Sequence, residues 1–228
     1  MRISFLFLAL ALAGCNINTS HVVPDGESVD GGLSTVNGSI KVGNNASVGG
    51  ALETVNGGVA VGNSSSVGQI SLVNGRVTIG SDSTTGSIEG VNGAVMIGSG
   101  SVVGGNAETV NGAIEIEQGA EVEGMVSSVN GRITLQGATV GAIESVSGGI
   151  VLEAGSRVLG PLTVERHKGW NKKDTPPLIQ IGADSEVTGP LEFERPVRLW
   201  IHETATVGEI IGAEANTYSG DAPPDDGG

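Results

Sequence analysis

The tripeptide Val-Asn-Gly begins at Val36 and returns at Val55, Val73, Val91, Val110 and Val129, with a degenerate Val-Ser-Gly at Val146. The intervals are 19, 18, 18, 19, 19 and 17 residues. One such repeat is too small to bury its own apolar face, so a chain with this period must stack its repeats into a β-solenoid. In the first repeat Val36, Gly38, Ile40 and Val42 alternate. After Gly43-Asn44-Asn45, so do Ala46, Val48, Gly50 and Leu52. Alternation places these residues inside and Asn37, Ser39, Lys41, Ser47 and Gly49 outside. The expected fold is all-β, a single-stranded parallel β-helix with three sides and 18–19 residues per coil. Each strand pairs with its equivalent one coil on, at a spacing of ~4.8 Å.

Such a tube is narrow, and the composition agrees. No Phe, Tyr or Trp occurs between Phe7 and Trp170. A globular core relies on rings for much of its buried area, whereas a three-sided coil has room for Val, Ile, Ala and Gly. Disorder is the other reading of 39 glycines, but disordered chains lack hydrophobicity, and here it reaches 38% with Val and Ile at regular intervals. The formal net charge is −14, from 25 acidic and 11 basic residues. That excludes nucleic acid as a partner, since phosphates need Lys and Arg to displace counterions. It gives instead a surface that repels its own kind.

Asn and Gly tolerate left-handed backbone, so each Asn-Gly is expected to mark the same bend. Stacking would bring Asn37, Asn56, Asn74, Asn92, Asn111 and Asn130 into one column. Their amides can hydrogen-bond along it as a structural ladder, inside a corner or on the outer wall. Coils are expected over 33–164 and 178–213, eight or nine in all, in a rod of about 40 Å.

The chain opens with Met1-Arg2 and an apolar run from Ile3 to Ala13. The run is too short to span a bilayer and has the form of a secretory signal. Leu12-Ala13-Gly14-Cys15 resembles the bacterial lipobox, and Cys15 is the sole cysteine. The resemblance implies cleavage after residue 14 and a lipid on Cys15, anchoring the chain at ~0.8 kcal/mol per buried CH₂. Asn16 follows where inner-membrane retention signals often carry Asp, which favours the outer membrane, facing the periplasm. Residues 15–32, polar with Gly and Pro, read as a lipidated tether.

Two families share the phrasing of the repeat. Val42-Gly43-Asn44-Asn45-Ala46-Ser47 and Ile79-Gly80-Ser81-Asp82-Ser83-Thr84 are similar to the six-residue phase of hexapeptide-repeat left-handed β-helices. Val42 to Leu52, Val122 to Val126 and Ile181 to Leu191 resemble the I-G-x-x-A-x-V-x-G-x-I phrase of bactofilins, polymer-forming bacterial cytoskeletal proteins. Unequal coil lengths break a six-residue phase, which favours the bactofilin-like reading. That resemblance implies a right-handed helix and self-association through the coil ends. Bactofilins are typically cytoplasmic, and this chain carries an export signal.

The repeat breaks at Glu165 to Pro177, ERHKGWNKKDTPP. This basic inserted loop carries Arg166, Lys168, Lys172 and Lys173 with Trp170, and loops inserted into solenoids often bind. Beyond it Val197, Leu199 and Ile201 alternate inward, which would place Arg198, Trp200 and His202 on the outer face. Together these residues form the candidate binding surface, suited to an envelope polysaccharide or a protein. Residues 214–228 read as a disordered acidic tail.

Catalytic chemistry is not expected. His21, His167 and His202 share neither a coil nor a metal-ligand spacing, and no nucleophile, base and orienter come together. Glu53, Glu89, Glu108 and Glu144 recur two residues before the corner valine, but the Gly-rich Asp nonapeptide of calcium β-rolls is absent. No metal or cofactor is therefore expected. The function expected is a membrane-anchored structural scaffold of the cell envelope, with an envelope binding module as the alternative.

Overall fold

The computed structural model describes residues 18–166 and 175–224. The chain winds as a parallel β-solenoid of about ten turns, and no helix occurs among the described residues. Each coil has three sides, exemplified by the strands Ile40–Val42, Ser47–Val48 and Leu52–Asn56. The first side stacks His21, Ile40, Val59, Val77, Val95, Ile114, Ile133, Ile150, Ile179, Leu199 and Ala215 in one register. It forms an eleven-stranded sheet, and the other two sides together form an eighteen-stranded one. Those two sides merge where Glu121–Ser128 and Thr139–Ser145 run through the corner between them as single strands.

Eleven rungs at ~4.8 Å span about 48 Å, longer than expected. Both ends contribute the extra length. Within the expected tether, His21–Val23 pairs with Ile40–Val42 and Ser28–Val29 with Ser47–Val48. Ser28-Val29-Asp30-Gly31-Gly32-Leu33 repeats the alternation of Ser47-Val48-Gly49-Gly50-Ala51-Leu52, so it folds as a coil. Within the expected tail, Ala215–Tyr218 pairs with Leu199–His202, and Tyr218 is buried.

The interior is a single column of buried Val, Ile, Leu and Ala from Val23 to Ile201, joined near its C-terminal end by the ring of Phe193. Fully burying each large aliphatic side chain contributes about 1.5–3 kcal/mol. One row departs from the expected facing. Val36, Val55, Val73, Val110 and Val129 are half-buried at the corner and Val91 is exposed, while Thr35, Thr54, Thr109, Ser128 and Ser145 point inward and are buried. These hydroxyls are satisfied inside: Thr54 Oγ1 donates to the Gly38 carbonyl at 3.0 Å, and Ser128 Oγ to that of Gly112 at 3.1 Å. A polar residue that finds a backbone acceptor can occupy the core side of a strand.

Most of the positive-φ backbone lies at a different corner from the one expected; at the Asn-Gly corner only Gly75 and Gly93 have positive φ, at 148° and 152°. Asn45, Ser64, Asp82 and Asp184 have φ of 53–56°, and Gly26, Gly100, Gly119, Gly137 and Gly155 occupy the equivalent turns. None of the ladder asparagines has positive φ.

Candidate functional site

The Val-Asn-Gly corner repeats in register along the rod. Asn37, Asn56, Asn74, Asn92 and Asn111 are each the last residue of a strand, with exposed side chains on the outer wall. Each Nδ2 donates to the Oδ1 of the asparagine one coil before. Asn56 reaches Asn37, Asn74 reaches Asn56, Asn92 reaches Asn74 and Asn111 reaches Asn92, all at 2.9 Å. Asn130 reaches Asn111 at 2.7 Å, and Asn37 reaches Asn18 at 2.9 Å, one rung beyond the six in the repeat. An amide offers two N–H donors and two acceptor positions, and Asn56, Asn74 and Asn92 each spend one of either kind on the ladder.

Close approach explains the glycine of the motif. A Cβ on Gly57, Gly75, Gly93, Gly112, Gly131 or Gly148 would overlap the carbonyl oxygen of the glycine one coil before. Backbone packed against backbone draws successive corners together, which brings the asparagine amides within hydrogen-bond reach.

The acidic positions form a neighbouring column in which Glu53, Ser71, Glu89, Glu108, Ser127 and Glu144 follow one another in register. Only Glu89 and Glu108 are stacked directly. Gln69 Nε2 lies 3.3 Å from Glu89 Oε1, and Asn106 Nδ2 donates to Glu108 Oε1 at 2.9 Å. Burial, with the adjacent Glu108, pushes the Glu89 carboxyl above its ordinary range. Burial also raises Glu144, reinforced by Glu165 and Glu108, and burial raises Glu165, reinforced by Glu194. Among the described residues, no three His, Cys, Asp or Glu side chains gather to hold a metal.

Of the expected binding surface, Lys168, Trp170, Lys172 and Lys173 lie outside the described residues, as does Cys15. Arg166 is exposed, and its backbone N–H donates to Glu194 Oε2 at 3.2 Å. Arg198 is exposed on the rung of Leu178, and Trp200 is half-buried between Gln180 and Asn216. Trp200 meets Tyr218 edge to face, with ring centroids 6.4 Å apart. His202 does not join the outer face but is buried, at 8% exposure. The chain turns at once, so His202 Nδ1 accepts the Thr204 N–H at 3.2 Å and lies 2.9 Å from Thr204 Oγ1. Tyr218, from the next rung, covers the ring at a centroid distance of 5.1 Å.

Sequence reasoning missed three residues here. Asn18 precedes a His-Val-Val that pairs like any other rung, so the repeat was detectable there. Tyr218 ends a four-residue strand in what composition marks as a tail. Arg195 is buried to 5% exposure and donates to the Val146 carbonyl at 3.0 Å, a contact that no periodicity announces. It stands at the edge of a cleft of about 450 Å³ between Phe193–Val197 and Gly212–Glu214.

No family model matches the chain, and no curated protein and no solved structure matches it. The bactofilin and hexapeptide resemblances stand on their motifs alone.

Proposed function

We propose that this chain is a non-enzymatic structural scaffold of the bacterial cell envelope, lipid-anchored through Cys15 and able to associate end to end. The observation that carries this reading is that the rod has two open edges. His21–Val23 and Ala215–Tyr218 are the terminal strands of the eleven-stranded sheet, each paired on one side only among the described residues. Unpaired edges are templates for another chain. At the first coil a cleft of about 350 Å³ is lined by Val22, Val23, Val29 and Leu33 beside His21 and Glu27, so apolar side chains as well as backbone groups are available to a second copy. The acidic wall opposes side-by-side aggregation, and both features favour growth along the axis.

Negative-stain electron microscopy of the purified protein over a range of concentration and salt tests the association. Filaments are expected, and discrete short rods throughout would overturn that part of the reading. Mass spectrometry of the N-terminal peptide tests the anchor. A diacylglycerol-modified Cys15 is expected, and Cys15→Ser should release the chain from membranes.

A second reading is supported by Trp200, which stays half-buried on the outer wall of the last coils and meets Tyr218 there. In that reading the rod presents Trp200, with Trp170 of the inserted loop, to an envelope polysaccharide or a protein. Trp200→Ala that leaves function intact would count against it.

A further inference from the structure

The repeat contains six Asn-Gly dipeptides, at Asn37, Asn56, Asn74, Asn92, Asn111 and Asn130. In a flexible chain this pair is chemically labile. The glycine nitrogen gives up its proton and attacks the side-chain Cγ. As the new N–C bond forms, the bond from Cγ to the side-chain nitrogen breaks and ammonia leaves. Water then opens the cyclic succinimide at either carbonyl, giving aspartate or the β-linked isoaspartate. The reaction needs water as its only co-reactant, and it needs the glycine nitrogen to fold over the side chain.

Four of the six pairs are held against that movement through both the glycine nitrogen and the side chain, and the fifth, at Asn111, through its strand and its side chain. Asn37, Asn56, Asn74, Asn92 and Asn111 close paired strands and stand in direct register with one another. The N–H groups of Gly38, Gly57, Gly75 and Gly93 donate to the backbone carbonyl of the next asparagine, at 3.1, 2.9, 3.0 and 3.2 Å. Extended, hydrogen-bonded backbone of this kind keeps the nitrogen away from Cγ. Every one of the five side-chain amides, Asn111 included, is held from both sides by the ladder.

Asn130 differs in its place beyond the strand end and in how its side chain is held. Its strand, Glu121–Ser128, stops two residues short of it, and the paired register with the coil before ends at Thr109 and Ser128, although the Asn130 N–H still donates to the Val110 carbonyl at 2.9 Å. Asn130 therefore lies in a bend, with an exposed side chain. The Gly131 N–H is held by the Ser128 hydroxyl, at 2.9 Å, in place of a backbone carbonyl. Ser147 stands where the next asparagine would be, so the ladder ends and Asn130 is bound from one side only.

We infer that Asn130 is a site of spontaneous deamidation, a modification the fold confines to the open end of the amide ladder. Conversion removes the N–H that Asn130 gives to Asn111 and adds a carboxylate to a chain already at −14. The isoaspartate product also lengthens the backbone at the corner. The last rung is thereby loosened as the molecule ages.

The test is peptide mapping of the full chain after incubation in warm, mildly alkaline buffer. Cleavage after glutamate isolates Asn130 between Glu123 and Glu144, and Asn92 and Asn111 on separate peptides between Glu89, Glu108 and Glu115. Mass spectrometry then follows the amide-to-carboxyl mass gain and the paired aspartate and isoaspartate products. The Asn130 peptide should convert about tenfold faster than those of Asn92 and Asn111, the effect of ~1.4 kcal/mol on a barrier. In denaturant all six pairs should react at similar rates. Equal rates in the folded chain, a faster reaction at another pair, or an inert Asn130 in a chain that reacts when unfolded would each overturn the assignment.

Discussion

Arg195 donates from Nη1 to the carbonyl oxygen of Val146 at 3.0 Å, bridging 49 residues and one intervening coil. In a solenoid each repeat normally touches only its neighbours. This bond ties together the coils on either side of the one interrupted by the inserted loop. Arg195→Met should lose a charge-assisted hydrogen bond inside the protein, about 1.5–3 kcal/mol by denaturant unfolding. Amide exchange at Ser147 and Gly148 should quicken. Arg195→Lys should rescue little, because a flexible ammonium does not reproduce the planar guanidinium fork.

The glycines divide into two kinds that substitution to alanine should separate. At Gly93 a Cβ would overlap the Gly75 carbonyl, which is backbone and cannot turn aside, and this comes on top of a φ of 152°. Gly93→Ala should cost more than ~4 kcal/mol or prevent folding, in the range reserved for steric conflict in a core. At Gly155 nothing lies within 4 Å of the added carbon, and the burden is its φ of 75°. Gly155→Ala should cost only the left-handed penalty, about 1–2 kcal/mol. Parallel thermal melts would show the ranking, and equal losses would contradict it.

Much of this was legible because a parallel solenoid writes its period directly into the sequence. Ile40, Val42, Val48 and Leu52 face inward as their alternation requires. The corner was not, because a hydropathy rule puts Val36 inside and Thr35 outside. The structure does the reverse because backbone carbonyls inside the corner accept the hydroxyl hydrogens of this row, as that of Gly38 does for Thr54. The asparagine column was placed correctly in register, yet for a different local reason: its glycine answers to close approach, and the left-handed turn belongs to Asn45 and its equivalents. Arg195 and Tyr218 were invisible because their contacts join rungs that share no repeat phrase.

The ladder should show its end in energetics as well as in chemistry. Asn92 gives one amide hydrogen bond and receives another, while Asn130 only gives one. At a net ~0.5–1.5 kcal/mol per bond, lower for exposed groups, Asn92→Ala should destabilise about twice as much as Asn130→Ala. Urea titrations of the two variants would measure the ratio. Equal effects would mean that the amides, though aligned, add little to stacking.

The acidic column predicts the direction in which stability moves with pH. Burial and neighbouring carboxylates raise Glu89, Glu144 and Glu165 above the ordinary carboxylate value of 4.5. The folded protein therefore holds protons on these groups that the unfolded chain has already released. By linkage, stability falls as pH rises wherever the folded state binds more protons. Their favourable contribution is complete below the unfolded value and is lost as pH climbs through the raised folded values. Denaturant midpoints from this group should accordingly rise on mild acidification from neutrality. Glu89→Gln combined with Glu144→Gln should flatten the dependence and raise the midpoint at neutral pH, because a neutral amide suffers neither the burial penalty of a charge nor the repulsion from Glu108 and Glu165. A double variant with an unchanged pH profile would place the origin of the dependence elsewhere in the acidic wall.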